Sequence, residues 1–174
     1  MKFYTGQGDK GESAILGESC KIPKTEPVFD ALGALDELNS YLGVCRALAK
    51  DEKVTSALLE AQENLFTIQA ELGGAENIAL GEEKIKALEK TIDEFGGFVG
   101  PITKFTIPGG DFLSACLDFA RAMARLAERR AWAAKEKLSA AALAYLNRLS
   151  SLLFVLARYA NKKAGVSENH PRYG

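Results

Sequence analysis

Nine positions near the start of the chain, Thr5 to Ser13, hold three glycines, a lysine, two acidic residues and two hydroxyl residues. Successive backbone N–H groups in glycine-rich turns form a concave anion nest, and a lysine beside it adds a point charge. Thr5-Gly6-Gln7-Gly8-Asp9-Lys10-Gly11 has that chemistry, although an ordinary polar loop would have the same composition. A second basic group lies far downstream. Arg121, Arg125 and Arg129 stand at i, i+4 and i+8, one stripe along a helix, with Glu128 beside them. An exposed basic stripe is common. This one borders Leu117, Ala120 and Ala124, on the side that should face other helices. Arginines there grip carboxylates or phosphates bidentately. The leader, the arginine stripe and Lys24 together suggest a polyphosphate held from two sides.

Two further segments put polar groups among apolar ones. Helical spacing sets Asp36 and Asn39 in the same sector as Phe29 and Leu32. A buried carboxylate is costly unless paired, so Asp36 calls for a cation, and one arginine of the stripe can supply it. In Y-L-N-R-L-S-S, Asn147 and Arg148 interrupt an apolar run. Asn147 suits either a nucleobase or ribose, or a helix-to-helix hydrogen bond.

These groups need a scaffold. Pro27 fits a first helical turn behind Thr25 as cap, and Phe29, Leu32, Leu35, Leu38 and Leu42 recur at helical spacing. Further helices are expected over 52–72, over 82–95 with Gly96-Gly97 as a stop, from Asp111 to about Lys137, and from Ser139 to near Gly165. The expected fold is all-α, an up-and-down bundle of five helices behind a glycine-rich N-terminal loop. One domain is expected: a leader over 1–24, the bundle over 25–165, and a tail over 166–174 that is mobile or packed on a partner. Such a bundle has no sheet for a Rossmann or P-loop site, and neither glycine motif is present.

Composition narrows the classes. The formal net charge is −1 over 174 residues, but residues 1–110 carry −7 and residues 111–174 carry +6. The two halves either attract each other or the basic half holds an anion site. Aromatics are 9% and no basic tract reaches five residues, which argues against nucleic acid. No apolar run approaches the ~20 residues of a membrane span, and no apolar segment follows Lys2 as in a secretory signal. A cytoplasmic protein is expected. Cys20, Cys45 and Cys116 are far apart, so neither a disulfide framework nor a zinc site is expected, and Cys116 reads as a core residue.

In order along the chain stand Y-T-G-Q-G-D-K-G, Lys24, D-E-L-N-S at 36–40, F-T-I-P-G-G at 105–110, A-R-A-M-A-R-L-A-E-R-R at 120–130 and Y-L-N-R-L-S-S-L-L-F-V-L-A-R-Y-A-N at 145–161. Together they resemble the ATP:cob(I)alamin adenosyltransferases of the propanediol-utilisation (PduO) type. The resemblance implies a ferritin-like five-helix bundle that assembles as a homotrimer, with ATP and cobalamin sites between subunits. It implies ATP binding by Thr5, Gly6, Gln7, Gly8, Lys10, Ser13, Lys24, Arg125, Glu128, Arg129 and Asn147. It implies an interior ion pair of Asp36 with Arg121 near the reacting centre, and Phe105 against the lower face of the corrin. On the residues alone, Phe105 reads as a core phenylalanine at a loop end. The implied reaction is attack of cobalt(I) on C5′ of ATP with release of triphosphate, assisted by Mg²⁺ held on the phosphates. A reductase and a B12-dependent enzyme are candidate further partners.

The chain departs from the family pattern. Ser13 stands for a common threonine, Asp118 for a common histidine, Leu126 for a second arginine and Ser151 for a frequent aspartate. These changes keep an ATP-binding cobalamin sensor or delivery protein without turnover as the alternative. A mutase module holding cobalt through His170 is rejected, because E-N-H-P-R lacks the D-x-H-x-x-G context. A plain helical oligomerisation module leaves Asp36, Asn39 and the arginines unexplained.

Overall fold

Proline lacks the N–H that a first helical turn leaves unbonded anyway, and Pro27 opens the first helix. In the computed structural model, which describes residues 2–16 and 20–173, that helix is α1, Pro27–Leu48. It follows a two-residue hairpin, β1 (Glu12–Ser13) with β2 (Ile22–Pro23). Four helices complete the chain: α2 (Glu52–Leu72), α3 (Glu82–Val99), α4 (Phe112–Ala133) and α5 (Ala140–Lys163). Met1, residues 17–19 of the leader and Gly174 of the tail lie outside the described residues.

Short connections join α1 to α2 and α4 to α5, so the helices of each of these pairs run antiparallel. Helix α1 packs on α2 and α4, and α5 packs on α3 and α4. Helix α4 shows alanines to its neighbours: Ala120, Ala124, Ala127 and Ala131 are all buried. Their size lets α1 and α5 approach closely. Leu35, Leu38, Leu42, Leu58, Leu65, Leu117, Leu146 and Leu149 fill the interior. Each such leucine contributes about 1.5–3 kcal/mol through removal from water. By length and composition α5 could cross a bilayer, but it forms the buried side of the bundle that α3 and α4 cover.

Several ends differ from expectation. Glu26, not Thr25, occupies the cap position of α1, and its side chain makes no capping bond. Helix α3 runs through Gly96-Gly97 and stops at Gly100, whose φ is 84°. A mid-helix glycine costs only about 1 kcal/mol, and Phe95 and Val99 on either side pack into the core. Helix α4 stops at Ala133, and a 3-10 turn over Lys135–Lys137 leads to Ser139, which caps α5 as expected. Cys45 and Cys116 are buried, as core thiols, and Cys20 is exposed.

Asp51 ties the start of α2 to α5. Its carboxylate accepts from Lys53 N at 3.0 Å, capping α2, and from the Tyr159 hydroxyl at 2.7 Å, with Lys163 Nζ at 3.6 Å. The Tyr159 hydrogen bond, aided by the Lys53 N–H and Lys163, lowers the Asp51 pKa against an opposing effect of burial. A lowered folded pKa adds stability above the unfolded value of about 3.9, and that stability is lost as pH falls through the folded pKa. Asp51→Ala is therefore expected to lose about 1–2 kcal/mol in urea unfolding at neutral pH, and the gap should narrow in acid.

Candidate functional site

The leader turns on glycines in the left-handed region, Gly6 at φ 70° and Gly11 at φ 79°. Asp9 N donates to Gly6 O and Gly11 N to Gly8 O, closing two successive turns. The Lys24 side chain lies over Gly8, where a Cβ would stand 2.8 Å from Nζ. Lys24 N also donates to Gly11 O at 2.8 Å. Lys24 is thus part of the loop. Thr5, Gln7 and Lys10 are exposed, and Ser13 is half-buried on β1. Buried Ile15 and a bond from Leu16 N to Gly73 O fasten the leader to the end of α2.

The arginine stripe divides by depth. Arg125 and Arg129 are exposed, whereas Arg121 is half-buried with its Nε enclosed and without a hydrogen-bond partner. Glu128 Oε1 accepts from Asn147 Nδ2 at 2.9 Å, joining two of the predicted nucleotide groups across α4 and α5. Arg148 donates to Asn147 Oδ1 at 3.1 Å and pairs with Glu89. Arg130 pairs with Asp30 at 3.2 Å, which brings the end of α4 to the start of α1, the end from which the leader emerges. Within one chain, among the described residues, no hydrogen bond or ion pair joins the leader to Arg125 or Arg129.

Asp36 requires a correction. It is exposed, and among the described residues it forms no ion pair with Arg121 within the chain. The buried seam of α1 follows Val28, Ala31, Leu35, Leu38, Leu42 and Cys45. Phe29 and Leu32, whose sector Asp36 shares, lie only half-buried at its rim. Asn39 is buried as expected, its carbonyl accepting from Gln62 Nε2 at 3.0 Å.

Phe105 is not in the core: it is 78% exposed. Its ring stands on an open cleft of about 1340 Å³ bounded by the loop over 102–107, Arg121, Phe154 and the tail over 168–173. The P-G-G turn builds one side. Gly109 and Gly110 adopt φ of 135° and 102°, and the Asn161 side chain fills the space a Cβ on Gly110 would need. Asn161 Oδ1 accepts from Asp111 N at 2.9 Å, and its Nδ2 donates to Gly109 O at 3.1 Å. Asp111 then caps α4.

Beneath the cleft lies a charged group that the sequence reading missed. Arg158 is 2% exposed and pairs with buried Asp118. Its Nε also stands 3.0 Å from Glu168 Oε1, a close charge contact whose N–H is not aligned as a hydrogen bond. The signal was present: Arg158 interrupts L-F-V-L-A-R-Y-A as Asn147 interrupts its own run. Asp118, noted only as a departure from a histidine, is the partner of that arginine. Within the chain the tail is fastened, because Glu168, Asn169 and His170 bond the Phe105 loop. Among the described residues no cluster of three or more His, Cys, Asp or Glu side chains is placed to hold a metal ion.

The site therefore combines a helical bundle, a glycine-turn leader, outward arginines and an aromatic-edged cleft. The model of the cobalamin adenosyltransferase family matches residues 3–160, and the chain belongs to that family. It is 34% identical to a corrinoid adenosyltransferase of Bacillus subtilis, over 97% of this chain and 91% of that protein. It is 37% identical to the corrinoid adenosyltransferase PduO of Citrobacter freundii, over 91% of this chain but only 49% of that longer relative. Among solved structures, a variant PduO-type ATP:corrinoid adenosyltransferase from Lactobacillus reuteri, complexed with cobalamin and ATP, superposes with a TM-score of 0.91 at 31% identity. The match covers 99% of this chain and 97% of that one.

Proposed function

We propose that the protein transfers the 5′-deoxyadenosyl group of ATP to the cobalt of cob(I)alamin, giving adenosylcobalamin and inorganic triphosphate. The observation that carries this reading is the cleft of about 1340 Å³ with exposed Phe105 at its edge and Arg121 in its wall, in a bundle so close to one that binds cobalamin and ATP. The cobalt(I) electron pair forms the bond to C5′ as the C5′–O bond breaks, and that bond's electrons leave with the triphosphate. No general base is needed, since the nucleophile is already electron-rich. The work of the protein is alignment and the stabilisation of charge on the leaving group.

ATP is held by the leader turns, Lys10, Lys24, Arg125 and Arg129, with the Glu128–Asn147 pair directed at the nucleoside. We assign these groups to neighbouring chains of a homotrimer. Two features support that assembly: Arg125 and Arg129 are exposed, and exposed Asp36 together with the unpartnered Nε of Arg121 suits an ion pair between chains. Mg²⁺ rides on the phosphates, as it commonly does, and neutralises charge there. The site is cytoplasmic, where ATP is available, and a reductase and a B12-dependent enzyme stand before and after it.

The test is direct. Protein, Mg²⁺, ATP and chemically reduced cobalamin are mixed, and the visible spectrum is followed for a light-sensitive adenosylcobalamin. Conversion at catalytic protein concentration is expected. A flat trace with measurable ATP binding would instead indicate a sensor or delivery protein.

A further inference from the structure

We propose that the C-terminal tail is a latch that sets Phe105, and that Glu168 is its positioning residue. The proposal rests on Phe105 acting at the lower face of the corrin. A ring that is 78% exposed, on a loop whose residues 101–105 are all exposed, has little packing of its own to orient it. Its backbone must be held from elsewhere, and the tail does so at three successive residues. His170 Nδ1 lies 2.8 Å from Phe105 O, Thr106 Oγ1 donates to Glu168 Oε2 at 3.4 Å, and Ile107 N donates to Asn169 O at 2.8 Å.

The tail is in turn fixed to the bundle through the same carboxylate. Glu168 Oε1 accepts from Asn161 Nδ2 at 3.0 Å and lies 3.0 Å from Arg158 Nε, whose charge is buried. One oxygen of Glu168 thus faces the bundle and the other faces the loop. The root is firm: α5 ends at Lys163 and the chain turns at Gly165, φ 69°, after which Val166 N returns to Asn161 O at 2.9 Å. Asn161 and the whole tail lie beyond residues 3–160, which the family model matches. Tail residues 168–173 also line the cleft, so the latch and the ring it sets share one wall.

The experiment compares Glu168→Ala and His170→Ala in the full chain with Phe105→Ala and the Phe105→Ala/Glu168→Ala pair. Rates are measured from cob(II)alamin with limiting reductant and from pre-reduced cob(I)alamin. The four-coordinate cob(II)alamin signal is read by electron paramagnetic resonance in the presence of ATP. Glu168→Ala is expected to lower the cob(II)alamin rate roughly ten- to a hundredfold and to diminish the four-coordinate signal, with a smaller loss from cob(I)alamin. In the Phe105→Ala background it should add almost nothing, because it acts through that ring. Should Glu168→Ala fail to fold, His170→Ala, an exposed residue, carries the same expectation at smaller size. A large effect of Phe105→Ala with none from either tail variant overturns the latch alone. No effect of Phe105→Ala overturns the reading beneath it, and equal losses from Glu168→Ala with and without Phe105 show a merely structural tail.

Discussion

Replacing Arg158 by methionine is expected to cost about 3–5 kcal/mol of folding stability, the usual result of breaking a buried ion pair from one side. For a chain of this length that is a fall in melting temperature on the order of 10 °C. The cause is the carboxylate left behind. Asp118 is only 4% exposed and lies between α4 and α5, the most extensively packed helix pair, so water cannot replace the guanidinium. Glu168, nearer the surface, would lose its anchor without being trapped. Adding Asp118→Leu to Arg158→Met should recover most of the loss, since an apolar pair of similar volume is often as stable as a buried salt bridge. Calorimetry on the two single variants and the pair provides the cycle. Additive losses would mean that the two side chains do not interact.

Phe105→Ala is expected to behave in the opposite way, leaving the melting temperature within about 1 °C and striking the reaction instead. Cobalt(II) is hard to reduce while a base is bound beneath it. An aromatic ring that displaces this ligand and keeps water out leaves the metal four-coordinate and easier to reduce, a control of potential through axial ligation. Turnover from cob(II)alamin with limiting reductant should fall on the order of 10²-fold, about 2.7 kcal/mol of barrier. Pre-reduced cob(I)alamin should restore most of it. Unchanged turnover from cob(II)alamin would remove Phe105 from the mechanism.

Both predictions depend on groups whose visibility in the sequence differs. Proline and capping side chains are local signals, so α1, α4 and α5 begin where Pro27, Asp111 and Ser139 indicate. The glycine stop at 96–97 failed, because a helix continues through glycine when packing on either side outweighs about 1 kcal/mol per residue. Asp36 was misplaced for a related reason. Periodicity assigns a residue to a sector of its helix, but the neighbours decide whether that sector is core or rim.

By itself the sequence determined the five helices, the leader's turn chemistry and the kinds of charge available, because these follow from backbone and side-chain properties within a few residues. Only the tertiary structure decided partnership. Asp118 and Arg158 are forty residues apart, and no spacing rule links them; the antiparallel register of α4 and α5 does. The same register brings Glu128 to Asn147, and the turn at Gly165 sends the tail back onto the Phe105 loop. Contacts between distant segments depend on how whole helices pack, and that is a property of the bundle rather than of any stretch within it.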